Sequence, residues 1–294
     1  HLRLMIHTRW TKYRVLVANK CNYSCPFCHN EGQEKQTKAD LMSLEDFKML
    51  VDFLLTEDIE ELNISGGEPF INKDIVDMIE YADNKLSCDI SCATNLSLIR
   101  PEQIERLATT RVKFNVQFPY INEKAFKKST GNGRLSDIIR NIQILRNKNI
   151  KIGLNTVIQN GNTTDYEQII MFAIENDLPL KLLPQIGGSH SDQYKDFIIP
   201  ILEKYSVEYK DKGCGALRWV LEKEGHHTTV LYIDSPCFYK DITTCRKFAE
   251  IRIHPDLSAQ TCILKEPAYQ LNFEKGYHFV KNQIQELWND FMTC

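Results

Sequence analysis

An α/β protein is predicted, built as a partial (β/α)6 TIM-type barrel over residues 1–189 and followed by an α+β extension over 190–294. Three observations predict it. Short strand-like runs alternate with amphipathic helical stretches, the pattern of a parallel sheet with helical crossovers. The loop after the first strand is crowded with cysteine and the loop after the second with glycine, on the side where such barrels carry their active groups. The alternation stops around Gly187, Gly188 and Ser189.

Taken in order, "YRVLVA" (13–18) is a strand that delivers the chain to the cysteine loop. "SLEDFKMLVDFLLTED" follows, with Ser43 as N-cap, Asp46 three residues on, and Leu44, Phe47, Leu50, Val51 and Leu54 at helical spacing. The same beat returns as strand 61–65 with helix 73–84, strand 87–93 with helix 101–108, and strand 112–118 with helix 134–147. Strand 151–158 with helix 164–176 and strand 180–185 complete the barrel, and a final helix is predicted near 277–293.

Composition bounds the function. A formal net charge of −3, with 36 Lys and Arg scattered along the chain, gives no basic field for duplex nucleic acid. Apolar runs fall far short of the ~18 residues of a membrane span, and no signal-peptide pattern opens the chain, so a cytoplasmic protein is expected. The first residue is His1, so the numbered chain is expected to lack its native start or to keep a tag remnant. Ten cysteines in such a chain point to metal or redox chemistry.

"CNYSCPFCHNEG" (21–32) sets Cys21, Cys25 and Cys28 at C-x3-C-x2-C spacing, one ligand short of the four corners of an iron–sulfur cube. Structural zinc is the bland alternative, but zinc prefers four ligands and His29 is the one local candidate for the fourth. "SGGEPF" follows the second strand and "ATN" (93–95) the third. Gly66 and Gly67 let backbone approach a ligand, and Glu68 adds a carboxylate; together they suit a small zwitterion. An ordinary turn is the alternative for this loop. Cys88 and Cys92, alternating on a strand, read as small apolar residues rather than ligands.

The cysteine triplet after the first strand with GGEP after the second resembles the radical S-adenosylmethionine (SAM) superfamily, over residues 13 to about 185. The resemblance implies a 4Fe–4S cluster on Cys21, Cys25 and Cys28 whose fourth iron is chelated by SAM's amino and carboxylate groups. It further implies reductive cleavage of SAM to a 5′-deoxyadenosyl radical, with the electron supplied by a flavodoxin- or ferredoxin-type donor. Carried onto this sequence, it gives the methionyl amine to Gly66, Gly67 and Glu68. Thr94, Asn95 and Gln117 are implied for the carboxylate and ribose, and Phe27, Asn155 and Val157 for the adenosyl group.

The segment from "KAFKKSTGNGR" through "LNTVIQNGNTTDYEQIIMFA" is similar to the middle of the molybdenum-cofactor GTP 3′,8-cyclase family, as is "CHNEG". That family carries a second 4Fe–4S cluster on a C-x2-C-x13-C pattern. Here Cys245 falls on its first cysteine, Cys262 on its last and Phe248 on the middle one, with Cys237 upstream as the replacement; free thiols are the alternative. Cys214 and Cys294 could each be a ligand, a hydrogen donor to a substrate radical, or neither.

Arg14 and Lys20, flanking the cluster loop, match basic positions of the family, and with Arg252 they are expected to form a partial anion site. Glu61 and Asn63 stand where the family usually has two basic residues, its Arg-x-Arg is Glu250-Ile251-Arg252, and a Gly-Gly tail is missing. Charge-assisted donors to a triphosphate are worth ~1.5–3 kcal/mol each, so their loss predicts that GTP is not the substrate. The expectation is a radical SAM enzyme abstracting hydrogen from a natural-product or nucleoside-like small molecule. A peptide maturase is the alternative, against which stand the mere 12 residues before the first strand. A non-catalytic iron–sulfur or zinc protein is the alternative of another class.

Overall fold

The computed structural model describes residues 10–28 and 40–293. Its barrel strands are β1 (Lys12–Leu16), β2 (Glu61–Ser65), β3 (Asp89–Thr94), β4 (Lys113–Gln117), β5 (Lys151–Ile158) and β6 (Leu180–Pro184). Between them run helices α1 (Leu44–Leu54), α2 (Ile75–Lys85), α3 (Pro101–Leu107), α4 (Glu123–Thr130), α5 (Leu135–Asn147) and α6 (Thr163–Glu175). The rest comprises α7 (Lys195–Tyr205), β7 (Ser206–Asp211), β8 (Ala216–Lys223), β9 (His226–Ile233), α8 (Ile242–Arg246), β10 (Glu250–Ile253), β11 (Ser258–Gln260), β12 (Tyr269–Gln270) and α9 (Tyr277–Asp290).

Local sequence explains the barrel elements. Ser43 Oγ accepts the Asp46 N–H at 3.0 Å and starts α1, whose Phe47, Leu50, Val51 and Leu54 are buried at helical spacing. On β1 the alternation is two-fold: Tyr13 and Val15 are buried, while Lys12 and Arg14 point to the other face. Each large apolar side chain removed from water contributes about 1.5–3 kcal/mol. This makes the layer between sheet and helices the main source of stability.

The sheet has twelve strands in the order β12-β11-β10-β1-β2-β3-β4-β5-β6-β9-β8-β7. From β10 through β1 to β6 and on to β9, every neighbouring pair is parallel. Residues 190–294 therefore do not stand apart as an irregular appendage. They add an antiparallel β7-β8-β9 meander beside β6, and the β10-β11-β12 meander beside β1. Helix α4 was not anticipated by the spacing; its face is narrow, burying Phe126, Ser129 and Thr130. β3 starts at Asp89, so Cys88 sits half-buried just before the strand, while Cys92 is fully buried. Among the described residues no helix is long and apolar enough to cross a membrane.

Candidate functional site

At the C-terminal rim of the parallel strands lies a cavity of about 330 Å³. Its walls bring together most of the residues singled out in the sequence: Cys21, Cys25, Cys28, Phe27, Gly66, Gly67, Thr94, Asn95, Gln117, Asn155 and Val157, with Arg14 and Arg252 on the barrel side. Asn115, Ser65 and Tyr23 also line it and were not anticipated. Asn115 lies two residues before Gln117 on β4 and Ser65 immediately before the glycine pair, so strand periodicity and adjacency carried that information.

The cysteine loop is held in place by the glycine loop. Gly67 N–H donates to Ala18 O at 2.9 Å and Glu68 N–H to Lys20 O at 2.8 Å. A Cβ on Gly66 would lie 2.5 Å from Ala18 O, and one on Gly67 2.2 Å from Lys20 O. Gly66 also has φ +142°, a conformation that suits glycine. The missing side chains thus serve the approach of two backbone segments as well as opening the cavity wall.

Glu68 is fully buried and does not line the cavity. Its carboxylate accepts from Phe70 N–H at 3.1 Å, Thr94 Oγ–H at 2.7 Å and Asn95 N–H at 2.8 Å, which ties the second rim loop to the third. Burial pushes its carboxyl up to about 7, against the pull of these three donors. Asn95 continues the chain of contacts through Nδ2 to Asn22 Oδ1 at 2.9 Å, beside Cys21. Burial raises the Cys21 thiol and, with the neighbouring thiols, pushes Cys25 up to about 12. Metal-free, these thiols keep their protons, so loading iron releases them.

Other expected site residues fall elsewhere. Lys20 is exposed and pairs with Asp40 at 2.8 Å, away from the cavity. Cys237, Cys245 and Cys262 do not line it, but Ser235 and Ile263, close in sequence to the first and the last of them, do. Cys237, in the turn before α8, and Cys245, on α8, are joined through backbone, Asp241 N–H donating to Pro236 O at 3.1 Å and Cys245 N–H to Asp241 O at 3.0 Å, while Cys262 follows β11. Cys214 has φ +59° in the turn before β8, where Gly215 O accepts from Asp234 N–H at 2.7 Å, three residues before Cys237. His29 and Cys294 lie outside the described residues. Among the described residues no three His, Cys, Asp or Glu side chains converge as they would on one metal ion. A four-iron cube instead spreads its thiolates over separate corners.

The cavity fits a cluster with SAM. Three thiols stand on one loop, two glycines open the adjoining wall, and Gln117 Nε2 is a buried donor without a partner among the described residues. A sequence-family model described as the radical SAM superfamily matches residues 15–173, more than half of the chain. The fold and this rim define a radical SAM enzyme, and the chain belongs to that superfamily. Membership implies a 4Fe–4S cluster and SAM.

Within the superfamily, the chain is 26% identical over 274 residues to the probable GTP 3′,8-cyclase of Pyrococcus abyssi, covering 87% of this chain and 85% of that protein. It is 24% identical over 263 residues to the GTP 3′,8-cyclase of Clostridium perfringens, covering 85% and 79%. Among solved structures, Streptococcus suis SuiB bound to S-adenosylmethionine superposes with a TM-score of 0.70 at 14% identity. That match covers 95% of this chain and spans 66% of SuiB. SuiB bound to the precursor peptide SuiA gives 0.67 at 15% identity, covering 95% and 64%.

Proposed function

We propose that the enzyme abstracts a hydrogen atom from a natural-product or nucleoside-like small molecule, forming or rearranging a bond, and that GTP is not its substrate. The observation that carries this reading is one continuous cavity running from the three cysteines to Arg14, Asn115 and Arg252 inside the barrel. When bound, the cluster and SAM supply reductive cleavage of SAM and hence the abstracting 5′-deoxyadenosyl radical, with a flavodoxin- or ferredoxin-type donor providing the electron. Gly66 and Gly67 receive the methionyl end, and Gln117 donates its unpartnered N–H to the carboxylate or ribose. Phe27 and Val157 pack the adenosyl group beside Asn155. Glu68 acts from behind, orienting Thr94 and Asn95. Cys237, Cys245 and Cys262 hold a second cluster at the mouth, and Cys214 is the candidate hydrogen donor.

Peptide maturation is the second reading. It is favoured by the likeness of nearly the whole chain to SuiB, a protein seen with a precursor peptide. The test common to both is anaerobic reconstitution with iron and sulfide, then dithionite and SAM. 5′-Deoxyadenosine should form, and should not form when Cys21, Cys25 and Cys28 are all replaced by Ala. Equal yields from the two proteins would overturn the assignment.

A further inference from the structure

Arg14 and Arg252 line the barrel side of the cavity, and both are paired with Glu250, which is not itself among the lining residues. Strand register sets Arg14 on β1 beside Arg252 on β10, and Lys12 beside Glu250. On the other flank of β1, Lys12 lies beside Glu61 and Arg14 beside Asn63. Two guanidinium groups side by side on parallel strands, both reaching the cavity, make a site for an anion. Glu250 fills it. Its Oε1 accepts from Arg14 Nε at 2.6 Å and from Arg252 Nη2 at 3.3 Å, and the three side chains are between 12% and 21% exposed. Glu61 repeats the arrangement one strand over, 4.0 Å from Lys12 Nζ and accepting from Ser91 Oγ at 3.3 Å. Lys181, on β6, is influenced by both carboxylates; burial holds its ammonium below the usual lysine range while Glu61 and Glu250 pull it back up.

We propose that Glu250 is a built-in counter-anion: it occupies the paired-arginine site of the barrel floor and restricts the substrate to molecules whose inner end carries no phosphate. This rests on the small-molecule radical SAM reading above and narrows its substrate class. A phosphate brought to Arg14 and Arg252 meets a carboxylate already there, in a partly desolvated site where like charges repel more strongly than in water. The carboxylate cannot withdraw with its strand. β10 is pinned by Ile251 and Ile253, both 0% exposed, and by its ladder to β1. Glu250 also ties β10 to β1, which a purely structural ion pair would do equally. The two roles separate on anion affinity, which a structural pair has no reason to change.

The experiment uses the reconstituted holoenzyme under anaerobic conditions, with inorganic pyrophosphate and GTP as calorimetric probes at two salt concentrations. Wild type should bind neither at millimolar concentration. Glu250→Ala should bind pyrophosphate at least tenfold more tightly than wild type, with an affinity that falls as salt rises. Glu250→Gln, which keeps the size and an acceptor oxygen but not the charge, should gain in the same direction and guards against a folding defect in the alanine variant. Equal affinity in all three proteins, whether tight or undetectable, overturns the proposal. SAM cleavage by the wild-type sample is recorded alongside. Its absence would count against the radical SAM reading, whereas unchanged anion affinity with normal cleavage counts against Glu250 alone.

Discussion

Glu68 accepts the Asn95 N–H at 2.8 Å from a fully buried position, so the carboxylate of the glycine loop holds the next rim loop rather than facing the cavity. Asn95 in turn meets Asn22 of the cysteine loop at 2.9 Å. The two contacts link three rim loops through one buried acid.

That acid has a pH signature. Its carboxyl is raised from 4.5 to about 7, chiefly by burial. A raised acid contributes stability that is fully present below the unfolded value near 4.5 and is lost as pH climbs to about 7. The gap corresponds to roughly 3 kcal/mol as an upper limit. The metal-free protein should therefore unfold at lower urea concentration at pH 7.5 than at pH 5, and Glu68→Gln should flatten that dependence. An identical pH profile for the two proteins would show that Glu68 does not control it.

Gly67 gives a second test, because its absent Cβ would collide with backbone and not with a movable side chain. A methyl group there would sit 2.2 Å from Lys20 O and 3.0 Å from Cys21 N. Gly67→Ala should keep its circular dichroism yet displace the cysteine loop, lowering SAM affinity more than tenfold and reducing the iron held after reconstitution. Gly161→Ala is the control, since its Cβ would meet Phe197 at an ordinary 3.7 Å. If both variants load iron and bind SAM like wild type, the close approach has no functional weight.

Arg246 supports a stability prediction at the far end of the chain. One of its nitrogens donates to Trp288 O at 3.1 Å and to Phe291 O, and the guanidinium lies 4.5 Å from the Trp288 ring. Trp10 packs edge-on against the same ring at 5.0 Å. Charged hydrogen bonds to carbonyls contribute about 1.5–3 kcal/mol and a cation over Trp about 0.5–1 kcal/mol more. Arg246→Ala should cost about 2–3 kcal/mol in urea unfolding, and Arg246→Lys, lacking the planar fork, should recover part of it. A loss within about 0.5 kcal/mol would mean that the clamp is a surface contact.

Much of this was written locally in the sequence, and what was not has an identifiable reason. β2 and β5 span the residues that the sequence assigns to strands, 61–65 and 151–158, and Ser43 caps α1 as its spacing with Asp46 implies. The rim motifs come together at one cavity because loops after parallel strands converge on one face, whatever the helices do. The pairing of β10 with β1 was invisible, because it joins residues more than two hundred positions apart through a four-residue strand. The β8–β9 hairpin mixes Arg218, Lys223, His226 and His227 into its strands, which blurs the alternation that would have marked it. Glu68 and Lys20 were assigned by motif, yet burial, three donors and Asp40 decide where their charges lie. Tertiary surroundings, not spacing, set such orientations.

The thiols of the C-terminal region provide the last prediction. Cys237 N–H is anchored on Ser235 Oγ at 3.2 Å, and Ser235 itself lines the cavity. Cys245 follows through Pro236 and Asp241, while Cys262 Sγ accepts the Leu264 N–H at 3.4 Å beside the cavity residue Ile263. Cys237 in the turn before α8, Cys245 on α8 and Cys262 just after β11, with Phe248 at the family's middle cysteine position and Cys237 as its replacement, suit a second four-iron cluster. Wild type should then carry about eight irons after reconstitution, two cubes of four. Replacing Cys237, Cys245 and Cys262 by Ala should bring the count to about four and leave a reduced cluster whose electron paramagnetic resonance spectrum still responds to SAM. Cys214→Ala, made separately, should leave the count near eight if this thiol is a hydrogen donor and lower it if the thiol is a ligand, since Gly215 brings it to the turn of Cys237. About four irons in wild type and triple variant alike would mean that these thiols are free and that the cavity holds one cluster.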